Sequence, residues 1–346
     1  MSSIEKTAYP RFPKRKKIKQ AELNLHYSIT QPELIMIEQV ANTKKSQFNL
    51  ALQFKSFQKL GYFVDLKEIP DEVVTHIRQI LKYHYRLVPG YRDKMTKYRH
   101  RKKIREFLNV KNWGWEDVNG KRIHQGIKLA IQSAYDISHS MNNIADIINA
   151  VIERLLQENF ELPSFYRLNR LVRHTRHHVN NKIFREVMQR LMTVNHTTIL
   201  DNLLIRQGDD QRTLFNKVKS MPKRPTVNKF HKFIEHFHWL MSLGDVLSCL
   251  EGITKVKIDQ FAEEAKTMTA DDMMDIGEAK RYTLIASLIF KSQSTAKDIL
   301  AKMFCRLIGT AHKQAKSKLE NKLNSSKDDT CNVVELFKKS SMMGAQ

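Results

Sequence analysis

Between Asp146 and Val179 the sequence encodes a helix, a stop and a second helix with two unlike sides. Pro163 cannot continue the first helix, because its ring removes an N–H and crowds the preceding turn, and Ser164 offers a hydroxyl to start the next. Along the second helix, Leu168, Leu171, Val172, Thr175 and Val179 fall within an arc of roughly 100°. Arg167, Arg170, Arg173, His174, Arg176 and His177 fall on the other side. A helix after a turn, apolar beneath and basic above, is the layout of a helix-turn-helix whose second helix enters a DNA groove.

The rest of the chain fits a helical frame. Gly totals 11 in 346 residues, no segment alternates apolar and polar with period two, and no unit repeats at fixed length. These features predict an all-α protein: tandem modules of the helix-turn-helix type, followed by a helical packing or dimerisation region. Charge points to the partner. Lys and Arg total 59 against 36 Asp and Glu, a net charge of +23. Such an excess favours a polyanion, foremost double-stranded DNA. No apolar run approaches the roughly 20 residues that span a bilayer, so no membrane partner is expected. Cys249, Cys305 and Cys331 are far apart and suit neither a zinc site nor a disulfide framework, which predicts a reducing, cytoplasmic setting.

In chain order, residues 1–22 read as a basic flexible arm containing the run Lys14 to Lys17. Residues 23–111 form a first DNA-binding module. Leu50, Phe54 and Phe57 predict a helix stopped by Gly61, and Pro70, Asp71 and Glu72 start another that buries Val73, Val74 and Ile77. A further helix before Leu108 carries Arg99, Arg101, Lys102, Lys103 and Arg105 beside Ile104, with Tyr83, Tyr85, Tyr91 and Tyr98 nearby, which suits phosphate contact. Residues 112–195 form the second module, opened by Trp113-Gly-Trp115 and an Asn119-Gly120 turn. Residues 196–323 form the helical region, with a seam of Val227, Phe230, Ile234, Phe237 and Met241, a helix from Lys280 to Phe290, and another from Thr295 to about Asn321. Residues 324–346 read as a flexible tail.

Catalytic apparatus is not legible. Asp209-Asp210 reads as a turn, and Asp271, Asp272 and Asp275 as a helix start after Thr269. None of the 14 histidines is followed three residues later by Arg, as a tyrosine recombinase would need, and no Gly-rich phosphate loop occurs. His174 and His178 have metal-ligand spacing but lie among arginines, which repel a cation. No cofactor or metal is expected.

Three stretches carry a family resemblance. They are Phe57-Gln-Lys-Leu-Gly-Tyr-Phe63 with Glu68–Val74; Tyr98–Leu108; and Ile148–Leu155 with Phe160–Phe165, Leu168, Arg170, Leu171, Val179 and Asn180. With these the chain resembles the N-terminal part of the large replicative transposases of the Tn-three family, from about Leu23 to Leu319. The resemblance implies helical modules that recognise terminal inverted repeats in DNA transposition, then a region contributing to dimerisation. It places the catalytic ribonuclease-H-like domain and its Asp-Asp-Glu triad beyond this chain, so the chain is expected to be no enzyme and to be truncated before that core. The alternative expectation is a helical interaction protein that dimerises with and modulates a full-length transposase.

Overall fold

In the computed structural model, residues 3–13, 17–118, 121–141, 143–194, 197–207, 212–221 and 227–343 are described. The expected turn at Asn119-Gly120, the pair Asp209-Asp210 and most of the Lys14–Lys17 run lie outside them. The protein is all-α, with two short antiparallel hairpins, and divides into two compact units, Met1–Ile183 and Phe184–Gln346.

The first unit is built on one buried helix. Helices α1 (Gln20–Tyr27), α2 (Gln31–Val40), α3 (Lys44–Leu60), α4 (Asp71–Ile80) and α5 (Lys94–Leu108) share a core. Every residue of α3 from Phe48 to Phe57 is buried, so it has no solvent face. Asn49, Gln53 and Lys55 in this stretch are paired internally, as the cost of burying them requires, whereas the buried Ser56 hydroxyl has no hydrogen-bond partner among the described residues. Asn49 exchanges two hydrogen bonds with the Gly90 backbone, and Gln53 donates to the Val64 carbonyl. The Lys55 ammonium lies 3.0 Å from the Glu33 carboxylate. Gly61 ends the helix in the left-handed conformation, φ 73°, its N–H donating to Phe57.

The second core of this unit joins α6 (Gln125–Ser138), α7 (Ile144–Gln157) and the start of α8 (Phe165–Thr193), with Trp113 and Phe160. A hairpin of β1 (Glu116–Val118) and β2 (Lys121–Ile123) precedes α6. At Gly126 a Cβ would lie 3.0 Å from the Trp113 carbonyl oxygen, so a larger residue here would push that backbone away.

The N-terminus differs from the expected flexible arm. Ser3–Lys6 forms a 3₁₀ turn. Tyr9 is buried between Tyr62 and Phe165, and its hydroxyl donates to the Pro163 carbonyl at 2.6 Å. An aromatic ring in a basic stretch is enough to anchor it.

The second unit holds the C-terminal part of α8, then α9 (Thr197–Asn202), strands β3 (Arg206–Gln207) and β4 (Arg212–Thr213), α10 (Leu214–Lys219), α11 (Val227–Ser242), α12 (Lys255–Thr267), α13 (Ala270–Asp275) and α14 (Glu278–Met343). Three expectations change here. Among the described side chains of α11, which do not include the expected Val227, Phe233 and Leu240 are buried, Phe230, Ile234 and Phe237 are half-buried and Met241 is exposed. The packed line is thus rotated from the expected seam. The helices expected at Lys280–Phe290 and Thr295–Asn321 are one, and the expected flexible tail continues it to Met343. The stretch between the two expected helices is packed: Ser292 donates to the Val218 carbonyl and Gln293 to that of Leu240. No helix among the described residues is long and apolar enough to cross a membrane.

Candidate nucleic-acid interface

Two basic faces were expected, and both lie on helices of the first unit. Asp93 caps α5 by accepting from the N–H groups of Met95 and Thr96. Ile104 and His100 point into the core, at 0% and 2% exposure. His100 Nε2 lies 3.2 Å from the Ser46 hydroxyl and Nδ1 2.8 Å from that of Tyr91. Burial, reinforced by the nearby charge of Arg99, pulls its pKa down to about 4, so it is neutral at pH 7 and adds no charge to the surface.

The basic residues of α5 then separate into two groups. Arg99, Lys102 and Lys103 are exposed. Arg101 and Arg105 turn inward. The Arg101 guanidinium lies 4.9 Å from the Phe63 ring centroid and donates to Gln53, and burial lowers its pKa. Arg105 pairs with Glu161 at 3.1 Å, both side chains being 12% exposed. These two residues are committed to packing, which sequence periodicity alone does not separate from surface display. Of the neighbouring tyrosines, Tyr83 and Tyr91 pack, whereas Tyr85 and Tyr98 are exposed.

The connection before α8 is held from several directions. It runs through residues 158–164 and is longer than the short turn of a helix-turn-helix. Asn159 is left-handed, φ 57°. Lys111 and residues 159–161 exchange two backbone hydrogen bonds, the Leu162 N–H donates to the Gly61 carbonyl, and Tyr9 holds Pro163. Helix α8 therefore leaves from a fixed point with the Ser164 carbonyl accepting from Leu168 N–H.

From there its sides part as the periodicity requires. Leu168, Val172 and Val179 are fully buried and Thr175 is 7% exposed. Arg167, Arg170, Arg173, His174, His177 and His178 are exposed, and Arg176 is half-buried. Arg173 Nε donates to Asn169 one turn back, which holds the guanidinium along the helix. Tyr166, 71% exposed in the first turn, joins this face. Its aromaticity pointed to the core, so its register beside Arg167 was the only available signal.

Other polar clusters have structural explanations. Asp271 pairs with Arg206 at 2.8 Å, and Asp272 forms a reciprocal cap with Thr269. His236 lies against the Phe233 and Trp239 rings. Among the described residues, no group of three or more His, Cys, Asp or Glu is placed to hold a metal ion.

An all-helical protein with exposed basic helices is the class this structure defines, and comparison with known proteins relates it to transposases. Residues 1–175 match the family described as a domain of unknown function, DUF4158; they make up half of the chain, which belongs to that family. The transposase for transposon Tn3926 of Escherichia coli is 20% identical over 307 residues, 88% of this chain and 30% of that protein. The transposase for transposon Tn21 of Escherichia coli is 21% identical over 199 residues, 58% of this chain and 20% of that protein. The chain thus spans less than a third of the length of these relatives.

Proposed function

We propose that this chain is the DNA-binding part of a transposase of the Tn-three type, recognising the terminal inverted repeats of its element. The observation that carries the reading is the divided surface of α8. Leu168, Val172 and Val179 are committed to the core, while Arg167, Arg170, Arg173 and His174 stand exposed on a helix with a pinned start. Buried residues fix the orientation of the helix, so the exposed arginines can meet a groove without the helix reorienting. On α5, Arg99, Lys102 and Lys103 supply a second basic surface in the same unit. The similarity to two transposases supports transposon ends as the target. In this reading the chain binds, and strand chemistry is not assigned to any of its residues. The test is a titration at about physiological salt, where the Debye length is roughly 8 Å, comparing end DNA with a scrambled duplex. Tighter binding to the ends supports the reading; equal affinity removes end recognition.

A second reading has its own observation. Beyond Met303, α14 exposes Phe304, Ile308, Leu319, Leu323, Val333 and Phe337, each at least half exposed. Under this reading the chain is an interaction protein that pairs, through α14, with itself or with a full-length transposase. Sedimentation of the chain alone and mixed with full-length enzyme separates the readings.

A further inference from the structure

A cleft of about 620 Å³ lies between the start of α3 and the exposed side of α5. One wall carries Arg99, Lys102 and Lys103, and the other carries Thr43 and Ser46. Glu106 is the acidic residue of the lining; its carboxylate lies 2.8 Å from Lys103 and 4.0 Å from Lys102. The hydrogen bond from Lys103 holds the Glu106 carboxyl below its usual range, so it is charged at neutral pH. Arg99 donates to the Thr96 hydroxyl, a neutral group, at 3.3 Å. Three cations and hydroxyl groups around an open cleft suit a phosphodiester, which offers oxygens and one negative charge. Two of the three cations are lysines, whose ammonium groups act as point charges without planar geometry, which favours a phosphate over a base edge.

We propose that this cleft clamps the sugar–phosphate backbone of duplex DNA irrespective of sequence, with Glu106 occupying the lysines until a phosphate displaces it. The proposal rests on the DNA-binding reading above and divides the labour within it. The α5 cleft supplies affinity, and α8 supplies discrimination.

The test uses the full chain and a labelled duplex of arbitrary sequence, titrated at several salt concentrations. Arg99→Ala and Lys102→Ala are each expected to weaken binding about three- to tenfold and to reduce the log–log salt slope by about 0.9, the value for one phosphate. Arg99→Lys keeps the slope. Glu106→Gln tightens binding about threefold, because a charge that competes with phosphate is gone. Glu263→Gln removes an exposed carboxylate of α12 and is the charge-matched control for Glu106→Gln, and Lys316→Ala on α14 is that for Arg99→Ala and Lys102→Ala. All these positions are solvent-exposed, and circular dichroism verifies the fold. Variants that behave like their charge-matched controls overturn the clamp while leaving DNA binding by α8 intact. A wild-type chain that binds no duplex overturns both readings. Calorimetric binding of inorganic phosphate that needs Arg99, with duplex affinity indifferent to Arg99, reassigns the cleft to a free anion and overturns the proposal.

Discussion

The buried pair of Lys55 and Glu33 shows how a single side chain decides the stability of the first unit. Both side chains are under a tenth exposed. Burial by itself raises the Glu33 pKa and is the largest influence on it; the Thr30 N–H, Lys55 and Gln58 together overcome it and hold the carboxyl below its ordinary value. Glu33 also closes a reciprocal cap with Thr30 at the start of α2. Glu33→Ala removes both roles and leaves an ammonium buried without its counter-charge. Denaturant unfolding is expected to show a loss of about 3–5 kcal/mol. His100 sets a pH response. The unfolded chain takes up this proton near the ordinary value of 6.5, the folded one only near 4. Below 6.5 the unfolded state binds more protons, so stability is complete above that pH and falls between 6.5 and 4. Melting temperatures measured across this window are expected to fall less steeply in His100→Gln than in the wild type. Equal slopes would remove His100 as the cause.

At the scale of elements, legibility followed periodicity. Helix α8 was readable because its core face and basic face alternate with helical spacing and a proline marks its start. Helix α3 was only half readable: buried on every side, it has no amphipathic stripe, and only Gly61 marked its end. Helices α1 and α2 bury too few residues each, Leu23 and Tyr27, then Glu33, Met36 and Ile37, to write a pattern. Arg101 and Arg105 look like their neighbours in sequence and differ only because Phe63 and Glu161 come from distant segments. Arg173→Ala on α8 is expected to weaken binding to end DNA by about 1–3 kcal/mol and to narrow the preference over scrambled DNA, if it reads a base. Uniform loss against both duplexes would make it a phosphate contact. On α14, hydrogen exchange is expected to be slow from Tyr282 to Met303, where the helix is packed, and much faster beyond, where the described side chains other than Leu307 are exposed. Slow exchange throughout would instead support the pairing of α14 with another chain.

At the scale of the molecule, the net charge of +23 sets a baseline attraction to any nucleic acid, which salt screens. Charge alone distinguishes neither DNA from RNA nor one sequence from another. Recognition of transposon ends therefore requires the α8 face to add discrimination to that baseline. The direct measurement is the ratio of affinities for transposon-end and scrambled duplexes across a salt series. Both affinities are expected to fall steeply with salt, with the end duplex bound more tightly throughout and the ratio collapsing in an Arg170→Ala, Arg173→Ala double variant. Identical affinities at every salt concentration would contradict the account, leaving a basic helical protein that reads no sequence.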